Sequence, residues 1–275
     1  MSQQTSENVT RVAIGGLGAI GQSLAKSLVS GAVPGYKLTA VTARRHDKAA
    51  EFLTSIGSDA KVVTVDQLEP LADMVIECAP AEILCDIVEP FVKAGKMAVV
   101  LSAGALLFNL HLVETAARHG GVIHVPTGAL IGLDTVIAAA QGKIHSVRMV
   151  TRKPPRGLVG APHLVENNIQ VEGLTEPLKV FDGNALDAAR GFPANVNVVA
   201  ALSLAGIGPE NTFLEVWADP GVSRNIHSII VDSDSAKFSM TTENLPSENP
   251  KTGKIVAQSV VALLKKMKAP LRVGT

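Results

Sequence analysis

Residues 12–21 read Val12-Ala13-Ile14-Gly15-Gly16-Leu17-Gly18-Ala19-Ile20-Gly21. An apolar strand-like run (11–14) meets an amphipathic stretch (19–29) at the pattern Gly16-x-Gly18-x-x-Gly21, so the glycines stand between a predicted strand and a predicted helix. In that setting Gly16 allows a tight turn, Gly18 lets a pyrophosphate approach the backbone, and Gly21 lets the helix sit close to the strand. The unpaired amides of the first helical turn, with Ala19 and Ile20, then face the phosphates, and the helix dipole favours their negative charge. The pattern points to a dinucleotide site on a Rossmann fold.

Working outward, strands are expected at 37–43, 60–65, 74–77, 97–102 and 122–125, with helices at 46–53, 81–94 and 106–119; Gly104 reads as a break between strand and helix. Six strands with helical crossovers make a doubly wound parallel sheet of the α/β class. The second strand runs out through Thr42-Ala43-Arg44-Arg45, where a carboxylate would grip the ribose 2′-hydroxyl of NAD. An arginine there, Arg44, pairs with a 2′-phosphate, so NADP is accepted alongside NAD. The other readings are solvated arginines, with Asp47 slightly later to serve NAD. Glu77-Cys78-Ala79-Pro80 and Ser102-Ala103-Gly104 close later strands, where ligands bind in open α/β sheets, and Ala79 is expected in the cofactor site.

Beyond Pro126 the texture changes. Alternating segments at 144–151, 212–218, 225–233 and 236–242 with helices at 133–141 and 197–205 predict a smaller α+β domain on a mixed or antiparallel sheet. A last helix is expected over 251–266, of the kind that packs back on the first domain. The expected division is residues 1–127 plus 250–275 for the dinucleotide domain and 128–249 for a substrate and dimerisation domain.

Composition narrows the function further. A chain of 275 residues with 47% hydrophobic content can fill a core, and 25 basic against 25 acidic residues give no net charge. No global field draws such a chain to nucleic acid or to an anionic membrane. The start MSQQTSENVT lacks the basic and apolar parts of a secretory signal, which leaves a cytoplasmic expectation. The apolar stretch 97–113 is interrupted by Ser102, Asn109 and His111 and is not read as membrane-spanning. Cys78 and Cys85 read as two small buried hydrophobes. His46, His111, His119, His124, His145 and His163 show no metal-ligand spacing, so no metal is expected.

Three polar clusters in the second half place amides and charges beside prolines: Phe192-Pro193-Ala194-Asn195-Val196-Asn197, Ala218-Asp219-Pro220 through Arg224-Asn225-Ile226-His227, and Asn244-Leu245-Pro246-Ser247-Glu248-Asn249-Pro250-Lys251-Thr252. With Thr127-Gly128-Ala129-Leu130 and Thr151-Arg152-Lys153-Pro154-Pro155, they resemble the L-aspartate dehydrogenase family over nearly the whole chain. The resemblance implies an NAD(P)-dependent amino-acid dehydrogenase that oxidises L-aspartate to iminoaspartate. That product hydrolyses to oxaloacetate and ammonia or feeds NAD biosynthesis. It further implies His227 as the active-site histidine, with Ala129 and Asn197 as cofactor contacts. Many relatives carry an Asp after an Arg at the second strand, where this chain has Arg44-Arg45, and that departure bears on any strict preference for NAD.

The chemistry suits these residue types. Histidine accepts and returns protons near neutrality, and a dicarboxylate needs cations, for which Lys153, Arg224 and Lys251 are the candidates. A structural histidine satisfied by the backbone is the alternative role for His227. Other functional readings are a related two-domain oxidoreductase on another small dicarboxylate or semialdehyde, such as a homoserine dehydrogenase or a dihydrodipicolinate reductase, and a non-catalytic dinucleotide sensor. A homodimer is expected, since closed two-fold assemblies are the commonest.

Overall fold

The computed structural model describes residues 9–193, 196–245 and 253–274. They divide into two compact units. The first runs up to Ser102 and takes in Asn109–Pro126 and Val260–Arg272; the second takes in Ala103–Phe108, Thr127–Ser259 and the last residues from Val273.

In the first unit, β1 (Thr10–Gly15), β2 (Tyr36–Thr42), β3 (Lys61–Val62), β4 (Met74–Glu77), β5 (Met97–Val100) and β6 (Val122–His124) form one sheet in the order β3-β2-β1-β4-β5-β6. Every pairing is parallel. The crossovers carry α1 (Ala19–Val29), α2 (His46–Ser55) and α3 (Leu84–Lys93). Val12, Ala13, Ile14, Val75 and Ile76 are all fully buried, which is why β1 and β4 read as unbroken apolar runs rather than alternating ones. The strand order reverses between β1 and β4, the position where open α/β sheets leave a crevice.

The structure corrects the expectation for the segment after β5. Instead of one helix over 106–119 there are two, α4 (Ala103–Leu106) and α5 (His111–His119). Gly104 lies inside α4 rather than breaking it. A Cβ at Gly104 would stand 2.9 Å from Val196 Cγ2, so glycine is there for close approach and not as a helix stop. The strand expected at 60–65 shrinks to the two residues of β3, and the helix expected from Ala81 opens with a 3₁₀ turn at Ala81–Ile83.

The second unit continues with α6 (Leu133–Ala139), β7 (Ile144–Lys153), α7 (Pro162–Glu166), β8 (Leu178–Asn184), α8 (Ala185–Gly191), α9 (Asn197–Ala205), β9 (Thr212–Ala218), β10 (Asn225–Ser233) and β11 (Lys237–Asn244). Its sheet runs β11-β10-β7-β9-β8 and is mixed, with β7 and β9 parallel and the other pairs antiparallel. One face is covered: Val147, Met149, Leu214, Val216, Ile229 and Val231 are buried, while Phe213 and Ile230 on the other face are exposed. β8, α7 and α8 are absent from the sequence expectation. In β8 only Val180 is buried, so this edge strand carries no clear alternation to read. The final helix, α10 (Ile255–Lys268), begins later than expected, and Lys251 lies outside the described residues. In its part within the first unit, the Leu264 carbonyl accepts a 3.0 Å hydrogen bond from Tyr36 Oη. Among the described residues, no helix is long and apolar enough to cross a membrane.

The glycine turn makes an internal contrast. A Cβ at Gly21 would overlap the Gly16 carbonyl, whereas at Gly18 it would meet nothing within 4 Å. Gly21→Ala should therefore lower folding stability by about 1–3 kcal/mol. Gly18→Ala should stay within about 0.5 kcal/mol of the parent. Urea denaturation of the two variants checks the difference.

Candidate active site

The crevice of the first unit is a cleft of about 1100 Å³, lined by Gly16, Leu17 and Gly18 after β1, by Thr42 to His46 after β2, and by Cys78, Ala79 and Pro80 after β4. Gly16 has φ +104°, a conformation that only glycine adopts freely. A Cβ there would come within 2.7 Å of the Cys78 carbonyl oxygen. The N-cap of α1 is Gly18, which offers no side-chain cap, and no acidic residue stands in the first turn. The end amides of this 11-residue helix are thus left for an anion, with open space in front of Gly18. These residues fit the pyrophosphate of a dinucleotide. Gly21 serves the helix packing, and the side chains of Ala19 and Ile20 lie outside the lining, so any contribution of theirs is through the backbone.

Arg44 and Arg45 line the cleft as expected, and the structure adds His46 and Lys48, which the sequence reading did not place there. Asp47 is not among the lining residues. After β2 the cleft is edged by Arg44, Arg45 and Lys48, while the carboxylate in its lining, Glu82, follows β4.

A buried carboxylate holds the floor of this cleft. Glu77, fully buried at the end of β4, accepts hydrogen bonds at Oε1 from Ala79 N (3.0 Å) and Ser102 Oγ (2.9 Å), and at Oε2 from Ser102 N (3.0 Å) and Leu101 N (3.2 Å). Burial pushes its pKa up, and these four donors oppose that rise. Ala79 is fixed in the lining by this clip. Both cysteines are free and half-buried rather than fully buried: Cys78 lines the cleft, and Cys85 Sγ lies 3.2 Å from Asn109 Oδ1.

The second unit carries a different kind of site on the covered face of its sheet. Along β7 the inward row is Val147, Met149, Thr151, Lys153, so it turns from apolar to polar at one end. His227 on β10 is paired across to Thr151 on one side and to Thr242 of β11 on the other. Its Nδ1 lies 3.1 Å from Thr151 Oγ1. His227 and Lys153 are 3% and 4% exposed, which is far from ordinary for either residue type. Burial, with the Lys153 charge adding to it, drives the His227 pKa down to about 3, and burial lowers Lys153 to about 8. The imidazole is therefore neutral at neutral pH, beside a cation held out of water.

The same face holds Asn244, buried at the end of β11, whose Nδ2 donates to the Ala129 carbonyl at 3.1 Å. Asn197 opens α9, and its Oδ1 accepts from Gly104 N at 3.0 Å. Arg224 stands apart from this row, half-exposed, with its Nη1 3.8 Å from Glu243 Oε2. Asp219, from the same loop cluster, accepts from Arg152 Nη1 at 2.9 Å. Thr242 escaped the sequence reading, and Thr151 and Asn244 stood there only within longer polar segments, with no role of their own. The signal was present as polar residues at every second position of strands whose partners in the row are apolar.

Two family models match the chain: "Homoserine dehydrogenase, NAD binding domain" over residues 16–126 and "Aspartate dehydrogenase, C-terminal" over residues 134–267. The chain is 56% identical over 275 residues to an L-aspartate dehydrogenase of Bradyrhizobium diazoefficiens, covering 100% of this chain and 98% of that one. It is 57% identical over 264 residues to L-aspartate dehydrogenase 3 of Bordetella bronchiseptica, covering 96% and 97%. The chain belongs to the L-aspartate dehydrogenase family. The fold agrees: the crystal structure of aspartate dehydrogenase from Thermotoga maritima superposes with a TM-score of 0.75 at 21% identity, covering 96% of this chain and 99% of that one. In this aspartate dehydrogenase family member, the first matched span holds the glycine turn and the Glu77 clip, and the second holds the His227 row.

The buried lysine gives a test of the site's electrostatics. Between about pH 8 and 10.5 the unfolded chain keeps a proton on Lys153 that the folded chain has lost. Folding stability therefore gains with rising pH across that window, and below it the contribution is constant. Lys153→Met should remove that gain. Urea unfolding of both proteins from pH 7 to 10.5 measures it as a diminished slope in the variant.

Proposed function

We propose that this protein is an NAD(P)-dependent L-aspartate dehydrogenase, converting L-aspartate to iminoaspartate, which water turns into oxaloacetate and ammonia. The observation that carries the proposal is the buried pairing of a neutral imidazole, His227, with the lysine cation of Lys153 on one sheet face. The family relationship supplies the substrate.

A bound nicotinamide would supply the hydride acceptor for the oxidation of the Cα–N bond to C=N. Gly16 and Gly18, with the amides of Ala19 and Ile20, bind the pyrophosphate, Ala79 stands in the crevice, and Ala129 and Asn197 complete the cofactor contacts. His227 takes the proton that the α-ammonium must lose. Thr151 holds the ring by Nδ1, which assigns Nε2 to the substrate. A pKa near 3, set first by burial and then by the Lys153 charge, makes a poor base; a substrate carboxylate at Lys153 offsets the second of these causes and so raises His227. Returning the proton, His227 then helps water add to the imine. Lys153 binds a substrate carboxylate, with Arg224 and Lys251 as further candidates. Iminoaspartate released unhydrolysed is a precursor for NAD biosynthesis.

The dinucleotide domain of this proposal comprises residues 1–127 plus 250–275, and the substrate domain 128–249. The enzyme acts in the cytoplasm as a homodimer, a reading supported by the exposed apolar residues Phe213 and Ile230 on the open sheet face.

His227→Ala should lower turnover of L-aspartate by about 10²–10⁴-fold while dinucleotide binding, measured by fluorescence titration, stays intact. Equal loss of binding and turnover would contradict the assignment. Arg44→Ala should reduce kcat/KM for NADP about tenfold, the effect of losing one charge-assisted contact, with a smaller change for NAD. Initial rates with each nucleotide decide it.

A further inference from the structure

Two buried polar atoms on β11 have no hydrogen-bond partner among the described residues: Thr242 Oγ1 and Asn244 Oδ1. Buried polar atoms are nearly always paired, so each exception calls for a cause. Both residues point to the covered face, Thr242 directly across from His227 and Asn244 across from Asn225. Thr151, the neighbour of His227 on the other flank, has its hydroxyl engaged with the ring at 3.1 Å. Thr242, placed symmetrically, does not.

The orientation of the Asn244 amide is fixed by its anchor. Its other end meets the Ala129 carbonyl at 3.1 Å, and a carbonyl can only accept, so the nitrogen stands there and the oxygen faces away. The orphan atom is an acceptor. Whatever satisfies it brings an N–H or O–H. Of the groups on an aspartate molecule, the carboxylates are acceptors only, and the α-ammonium alone offers donors, three of them.

The cation lies on the far side of the ring. Lys153 is on β7 and the two acceptors on β11, with β10 and His227 between them. Two strand spacings separate the backbones at Lys153 and at the two orphan atoms by about 9–10 Å, which leaves room for a substrate with a carboxylate on the β7 side and its ammonium on the β11 side.

We propose that Thr242 Oγ1 and Asn244 Oδ1 form the subsite that recognises the nitrogen of the substrate, as the α-ammonium of the amino acid and as ammonia in the reverse reaction. The proposal rests on the L-aspartate reading above and assigns a role to two residues which that reading leaves idle. It places the nitrogen on the β11 side of His227 and the carboxylates toward Lys153, so that the ring meets the N–H to be deprotonated.

The test uses the reverse reaction, reductive amination of oxaloacetate with NADPH, where ammonium and oxaloacetate are varied separately. Thr242→Val removes the hydroxyl at nearly constant shape. The KM for ammonium is expected to rise about tenfold, with the KM for oxaloacetate and the Kd for NADPH within about twofold, a change corresponding to one lost hydrogen bond. The variant's melting temperature should hold or rise, because an unpaired buried hydroxyl is gone. Thr242→Ser should recover most of the ammonium binding. Asn244→Ser, which shortens the acceptor, is tested alongside and read in the same way. An unchanged ammonium KM in both Thr242→Val and Asn244→Ser would overturn the proposal alone. So would a rise confined to the NADPH Kd, which would assign the donors to the nicotinamide carboxamide. Wild-type protein inactive on both L-aspartate and oxaloacetate would instead overturn the substrate reading itself.

Discussion

The burial of His227 beside Lys153 sets the terms for the rest of the second unit. Neither side chain belongs on the covered face of a sheet, and each loses the solvation that its charged form needs. The strands meet that cost by surrounding the pair with hydroxyls and amides instead of completing an apolar core. Thr151, Thr242 and Asn244 occupy the inward positions where Met149, Ile229 and Met240 continue the rows. The result is one sheet with two jobs along its length: an apolar end that holds α8 and α9, and a polar end whose electrostatics favour a neutral base and an anion.

The first unit solves a different problem with the same economy. Its phosphate site needs no charged side chain, because backbone amides at the start of α1 supply the donors, and glycine supplies the turn and the clearance. A carboxylate is used instead as a structural clip. Glu77 gathers four donors from the chain leaving β4 and the chain leaving β5, and so ties Ala79 of the crevice lining to the end of β5. Beside the backbone donors of α1, the basic side chains of Arg44, Arg45 and Lys48 line the cleft after β2.

Much of this was legible in the sequence, for identifiable reasons. The doubly wound sheet was, because fully buried parallel strands are written as apolar runs and the glycine spacing at 16–21 has few other uses. The mixed sheet was, in four strands of five; β8 was not, since an edge strand with one buried side chain leaves no period to detect. Gly104 misled because a glycine chosen for close packing looks like one chosen to end a helix, and only the neighbour, Val196, distinguishes them. In the site, His227 and Lys153 stood out by chemistry and by family resemblance. Thr242 did not, because a threonine in a strand is ordinary until its row and its missing partner are known. Tertiary placement, not composition, turns it into a candidate.

In the proposed reaction a hydride leaves the α-carbon of L-aspartate. The most direct measurement is oxidation of L-aspartate deuterated at Cα, with the reduced nucleotide isolated and analysed by mass spectrometry and NMR. The account predicts one deuterium per reduced nicotinamide, located at C4. Reduced nucleotide without the label, or no reduced nucleotide at all, would contradict it.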